Sequence, residues 1–200
     1  RTPYSLECEE SASLATMAEA SVDWLLLAYT LPAEPSRKRV SVWRRLRKIG
    51  AVHMQEGFWY LPHTPALADQ IAGVVKEVET LDGSAVAFVA HNISSDQSDR
   101  LRQRFLQART EEYNEILHEV NNLLGHINRE RDRGHFTFLE VEELEEDLDK
   151  CARWLEDVRS RDLLGSSGYD ATHKVLDECR EAILSFTEDV YRHSGGEGAS

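Results

Sequence analysis

The first continuous apolar run in the chain is WLLLAYT, Trp24–Thr30, and Pro32 and Pro35 stop it. Its length is that of a strand. Residues 1–22 before it are small and polar without a period, and read as a flexible arm. After Pro35 the apolar positions recur every three or four residues. Ser36 offers an N-cap and Gly50 a stop, so a helix is predicted between them. Val42, Trp43, Leu46 and Ile49 share one face of it, and Arg37, Arg44 and Lys48 share the opposite face with Arg45 beside them. AVHMQEGFWYLPH follows, two short β-rich runs around Gln55-Glu56-Gly57, which predicts a hairpin with glycine at its turn. Thr64 caps a second helix that Pro65 opens and Gly83 closes. Ser84–Asn92 is a fourth strand.

The order β-α-β-β-α-β over residues 23–93 is that of the split-βαβ, ferredoxin-like unit. A sheet with one wet face alternates apolar and polar residues. Here Trp24–Tyr29, Phe58–Leu61 and Ala85–Ala90 are apolar on both faces, while the two helices cover only one. A second subunit or the rest of the chain must cover the other.

Residues 97–193 repeat at helical spacing throughout. Leu101, Phe105, Ala108, Ile116, Val120, Leu123 and Ile127 form one stripe, with a wider gap around Glu112. They predict a helix of roughly thirty residues, about 45 Å long. Thr137 and Glu140 form a capping box for the next stripe, Val141, Leu144, Leu148, Cys151, Leu155 and Val158. After the loop LLGSSGYD comes Leu176, Cys179, Ile183, Phe186 and Val190. Three such helices predict an antiparallel bundle. The tail at 194–200 reads as disordered. The fold class is therefore α+β, a ferredoxin-like domain followed by a three-helix bundle.

Charge changes this picture most. The formal net charge is -13, yet Arg37–Lys48 holds seven Lys or Arg and no acid, while Glu140–Asp149 holds seven acids. The overall balance argues against indiscriminate binding of nucleic acid and leaves room for one basic face. The acidic run reads as a solvated helix face. The cysteines, Cys8, Cys151 and Cys179, are scattered and form no CxxC, so neither a zinc knuckle nor a disulfide framework is supported. No apolar run approaches the roughly 18 residues of a membrane span, and the start lacks the apolar middle of a secretion signal. A cytoplasmic protein is expected.

The basic helix has three readings. Arg37, Arg44 and Lys48, flanked by Lys38 and Arg45, could neutralise several phosphates of a duplex. They could instead pair with acids such as those in Glu140–Asp149 or Glu111–Glu119, or hold a small oxyanion. Arg100, Arg102, Arg104 and Arg109 form a second cluster, either an extension of the first or a solvated face. Trp43, Phe58, Trp59 and Tyr60 could stack on bases, although at their spacing core or dimer packing is the default. Glu115 and His118 match E-x-x-H, but the stripe through Ile116 and Val120 turns them away from the core, and no second such pair exists. His53, His63 and His91 read as ordinary polar residues. No metal site, catalytic residue or cofactor is expected.

Several stretches together carry a resemblance: WLLLAYTLPAEPSRKRVSVWRRLRKIGAV, then GFWYLP, RFLQARTEEYNEIL, and RGHFTFLEVEELEEDLDKCARWLEDVRSRDLLG. In their order and spacing, over about residues 24–192, the chain resembles the N-terminal domain of the chromate-resistance regulators called ChrB. The resemblance implies a bacterial DNA-binding transcription regulator, not an enzyme, acting at the operator of its own operon. That family is similar to the central region of PaaX-type repressors. Both look like a small CRISPR-associated nuclease subunit of ferredoxin-like fold that dimerises through its sheet, so a homodimer through the sheet is expected. Those nucleases carry an acidic metal ligand where this chain has Thr30, which counts against a nuclease. Full-length members of the family carry a further C-terminal domain, so a sensor is expected to be absent from this chain. The residues expected to hold DNA, or an oxyanion such as chromate or sulfate, are Arg37, Lys38, Arg44, Arg45, Lys48, Arg100 and Arg104.

Overall fold

A computed structural model describes residues 22–34, 36–55, 57–91 and 94–196. Residues 1–21 of the expected arm, with Cys8, and residues 197–200 of the expected tail lie outside that set. The elements are β1 (Trp24–Thr30), α1 (Ser36–Ile49), β2 (Val52–Gln55), β3 (Phe58–Pro62), α2 (Pro65–Thr80), β4 (Ser84–Ala90), α3 (Ser95–Arg133), α4 (Phe138–Ser160) and α5 (Tyr169–Gly196). The chain is α+β and divides into two compact units, Arg1–Leu101 and Arg102–Ser200, so the division falls inside α3. No helix among the described residues is long and apolar enough to cross a membrane.

In the first unit the four strands form one sheet in the order β2-β3-β1-β4, with antiparallel neighbours throughout. That order is consistent with the split-βαβ, ferredoxin-like plan. Leu25 pairs with Leu61 and Val89, and Leu27 with Trp59 and Ala87, so these residues share one face. Helix α2 lies on that face, where Ile71, Val74 and Val78 are buried. Thr64 caps α2 as the sequence predicts, its Oγ1 accepting from the Leu67 N–H at 3.2 Å. The helix ends at Thr80 rather than Gly83, because Asp82 turns into the left-handed region at φ 61°. On the opposite face Trp24 and Tyr60 are buried edge to face, with ring centroids 5.4 Å apart. The Tyr60 hydroxyl donates to the Leu101 carbonyl at 3.3 Å, so the first turns of α3 cover that part of the sheet.

The second unit holds the remainder of α3 with α4 and α5. Arg131, late in α3, binds Asp189 and Ser185, late in α5, while the Tyr113 carbonyl accepts from Thr172 at the start of α5. Helices α3 and α5 therefore run one way and α4 returns between them. The predicted stripes of α4 and α5 enter one core with Ile116, Val120, Leu123 and Ile127 of the α3 stripe, whereas Leu101, Phe105 and Ala108 do not belong to it. Thr137 caps α4, accepting from the Glu140 N–H at 3.2 Å. Helix α3 is longer than predicted, 39 residues. The gap in its stripe is filled by ions: Arg109 and Glu112 are both buried, with Nη1 and Oε2 3.5 Å apart, and Arg161 binds the same Oε2 at 3.1 Å. Helix α5 continues to Gly196, so residues 194–196 are helical and not part of a disordered tail.

Candidate nucleic-acid interface

Helix α1 is set by a narrow apolar stripe. Val42 and Leu46 are buried and Ile49 is half-buried, which fixes the inward side. The helix stops at Gly50. The Gly50 N–H bonds to the Arg47 carbonyl and the Ala51 N–H to the Leu46 carbonyl, both at 3.0 Å, the pairing of a Schellman end. Trp43 does not join the inward side as expected. It is 49% exposed, and the Arg47 guanidinium lies over its ring, 5.8 Å from the centroid. On a helical wheel Trp43 sits about 100° from Val42. The stripe is complete without it.

The seven cations divide into two groups. Lys38 is half-buried and committed: its Nζ donates to the Leu81 carbonyl and to Asp82 Oδ2, each at 3.2 Å. Arg45 is also committed, its Nη1 lying 2.6 Å from Glu77 Oε2, while the Ser41 hydroxyl binds Oε1 of the same carboxylate at 3.1 Å. Gly73 leaves the notch that this guanidinium occupies, since a Cβ there would lie 2.8 Å from Arg45 Nη2. These two residues tie α1 to α2 and its end. The acids that pair with Arg45 and Lys38 are thus Glu77 and Asp82 of the same unit.

Arg37, Arg39, Arg44, Arg47 and Lys48 are exposed. Arg37, Arg39, Arg44 and Lys48 have no ion pair or hydrogen bond to another described residue. Arg39 and Arg47 belong to this surface although sequence reasoning assigned them no role. A signal was available for Arg47, which falls on the outer arc that also holds Val40 and Arg44, whereas Arg39 lies at the margin beside Leu46. From Arg37 to Lys48 the cations extend about 16 Å along the axis at 1.5 Å per residue.

In the second cluster Arg100 and Arg104 are both exposed one turn apart on α3, and Arg109 is not. Arg100 is exposed, its Nε bound to the Asp96 carbonyl at 3.1 Å, and Arg104 is exposed further along α3. Arg109 is 1% exposed, lies against Phe105 and belongs to the buried ionic group. Of the other aromatics, Trp59 and Tyr60 are buried in the sheet, and Trp154 packs against the bundle core.

Glu115 and His118 are both exposed, and no three His, Cys, Asp or Glu residues among those described form a metal-binding group. Burial lifts the Cys179 thiol to about 11 and also raises Cys151, so neither is a ready thiolate. Tyr113 is pushed up to about 12, first by burial and then by the charge of Asp162, to which its hydroxyl donates at 3.2 Å.

These features describe an α+β protein in which a small sheet unit carries an exposed basic helix and a helical unit follows. The sequence model of the family described as "Protein ChrB, N-terminal" matches residues 39–197. The chain belongs to that family, as its sequence motifs indicate. It is similar to Protein ChrB of Cupriavidus metallidurans, 29% identical over 99 residues, which is 50% of this chain and 30% of that relative. The matched part therefore spans under a third of the relative's length.

Proposed function

We infer that this chain is a regulator of the chromate-resistance type that holds DNA through the outer face of α1. Family membership supports the class, and one observation carries the mechanism. In a chain of formal net charge -13, four exposed cations, Arg37, Arg44, Arg47 and Lys48, lie on one helix face beside an exposed tryptophan. A convex row of this kind can touch only one or two groups of a small oxyanion, which stays hydrated. A polyanion engages the whole row and releases a counterion at each contact. Arg37, Arg44 and Lys48 hold phosphates, which positions the protein without reading sequence. Trp43, with Arg47 against its ring, offers a flat surface for a base or sugar. Lys38 and Arg45 act indirectly by fixing α1 on α2.

The test is fluorescence anisotropy with the DNA upstream of the protein's own gene and with a scrambled sequence, across a salt series. Preference for the first, with a steep negative dependence on salt, is expected. No binding of either at low salt overturns the reading. Stabilisation of the protein by sulfate or chromate beyond the ionic-strength effect would then assign the same cations to an oxyanion.

A further inference from the structure

Helix α1 spreads its outer charges over a wide arc. Arg39 and Lys48 stand nine residues apart, which places them about 180° apart around the helix, one at each margin of its exposed side. A single row of phosphates laid along a helix meets a narrower strip than that. Val40 and Arg47, seven residues apart, fall within about 20° of each other and midway between those margins. The middle of the exposed side thus holds an arginine and a valine that is 42% exposed. Arg37 and Arg44 lie between this middle and Lys48, and Trp43 lies between it and Arg39. No acid interrupts α1. Helix α2 beside it exposes two acids, Asp69 and Glu79, and one lysine, Lys76. A duplex laid flat over both helices would meet those acids, whereas one that receives α1 alone would not.

We propose that α1 enters the major groove of duplex DNA and that Arg47 and Val40 read base pairs there. The proposal rests on the DNA-binding reading above and adds to it the base contacts that phosphates do not supply. A helix with its side chains is about 10–12 Å across, the major groove is about 12 Å wide, and the minor groove, at about 6 Å, is too narrow. A seated α1 brings its two margins to the two phosphate rows that border the groove, Arg39 to one and Arg37, Arg44 and Lys48 to the other. The middle of its face then meets the base edges. Arg47 has the planar fork that donates to guanine O6 and N7 together, and Val40 offers an apolar surface to the C5 methyl of thymine. The Arg47 guanidinium lies over the Trp43 ring, 5.8 Å from its centroid, so the side chain is partly ordered before DNA arrives. Trp43 itself faces a sugar on the Arg39 side. Val40 and Arg47 are about 10 Å apart along the axis, the rise of about three base pairs.

The experiment is fluorescence anisotropy with the full chain and the DNA upstream of its own gene, made in three forms by enzymatic synthesis. One form is unmodified. One carries 7-deazaguanine for guanine, which removes the N7 acceptor, and one carries uracil for thymine, which removes the C5 methyl. Both changes lie in the major groove and leave every phosphate in place. The wild-type chain is expected to bind the 7-deazaguanine form roughly tenfold more weakly and the uracil form roughly fourfold more weakly. Arg47→Ala is expected to abolish the first difference and keep the second, and Val40→Ser the reverse, both with unchanged circular dichroism spectra. Equal binding of all three forms by the wild-type chain, with the salt dependence intact, overturns this proposal and leaves the phosphate contacts standing. A difference that persists in its matching variant overturns the role of that residue. No binding of any form at low salt overturns the proposal together with the reading on which it rests.

Discussion

Helices α1 and α4 each carry a dense run of one charge, seven cations in Arg37–Lys48 and seven acids in Glu140–Asp149, yet they use them differently. Helix α4 buries Val141, Leu144, Leu148, Leu155 and Val158, and its tryptophan, Trp154, packs against the same core. Six of the seven acids in its run face out, where Lys150 lies 2.8 Å from Asp147 and Arg153 lies 4.0 Å from Asp149, while Glu140 is half-buried with its Oε1 3.0 Å from His126 Nε2 of α3. Helix α1 buries only Val42 and Leu46 and turns its tryptophan outward among its cations. The exposed apolar residues of α4, Phe138 and Leu139, stand at its start, and within the acidic run Glu140–Asp149 every apolar residue is buried. A charged face that retains an exposed aromatic also has something to offer a ligand. The comparison assigns α4 to stability and α1 to binding, and it can be broken from either side.

The largest effect belongs to α4. Leu144→Ala removes a fully packed side chain from the bundle core and should cost about 3 kcal/mol of unfolding free energy. A urea titration measures it, and DNA affinity of the folded fraction should not change. Loss of DNA binding in folded Leu144→Ala would mean that the bundle takes part in recognition.

Next comes the charge on α1. Each phosphate contact adds roughly one unit to the salt slope, or about tenfold in affinity at 50 mM salt. Arg44→Glu with Lys48→Glu should therefore weaken binding by roughly a hundredfold and flatten the slope by about two units. Both side chains are exposed, so stability should move by less than about 0.5 kcal/mol. Reversing Glu145 and Glu146 on α4 to lysine is the matched control and should leave the salt slope where it was. Equal effects from both pairs would reduce the comparison to net charge alone.

Trp43→Ala follows, with an expected loss of about 1 kcal/mol in DNA affinity, the lower end of what stacking on one base contributes. Its Arg47 neighbour stays charged, so the salt slope should hold. Unchanged affinity would leave Trp43 as an ordinary surface residue and confine the site to phosphates.

Much of this was readable from sequence because the deciding forces are local. The run Trp24–Thr30 could only be a short strand between breakers, and Thr64 and Thr137 cap α2 and α4 where their spacing indicates. The inward side of α1 was legible from Val42 and Leu46, but Trp43 was drawn into it by hydrophobicity alone. Arg109 was misplaced for the opposite reason. A charge seems out of place in a core, yet Arg109 and Glu112 stand three apart inside the gap of an apolar stripe, the positions from which opposite charges can satisfy each other when buried. The two-sided apolar strands were recognised as needing cover. Sequence could not give the strand order that makes β4 the edge, because that depends on pairing between distant segments.

The smallest effect tests the division among the cations of α1. Arg45 has the same charge as Arg44 and neighbours it in sequence, but its guanidinium lies in the notch at Gly73 and on Glu77. Arg45→Gln gives up a partly exposed ion pair, for which about 0.5 kcal/mol of stability is expected. The salt slope of DNA binding should stay unchanged, because a cation already neutralised by Glu77 releases no counterion from DNA. Arg44→Gln, measured alongside, should lower the slope by about one unit with no stability change. If Arg45→Gln lowers the slope as much as Arg44→Gln, then Arg45 leaves Glu77 for a phosphate when DNA binds. The tie between α1 and α2 would then be part of the binding equilibrium, and Glu77→Gln, by freeing Arg45 in advance, should raise the affinity.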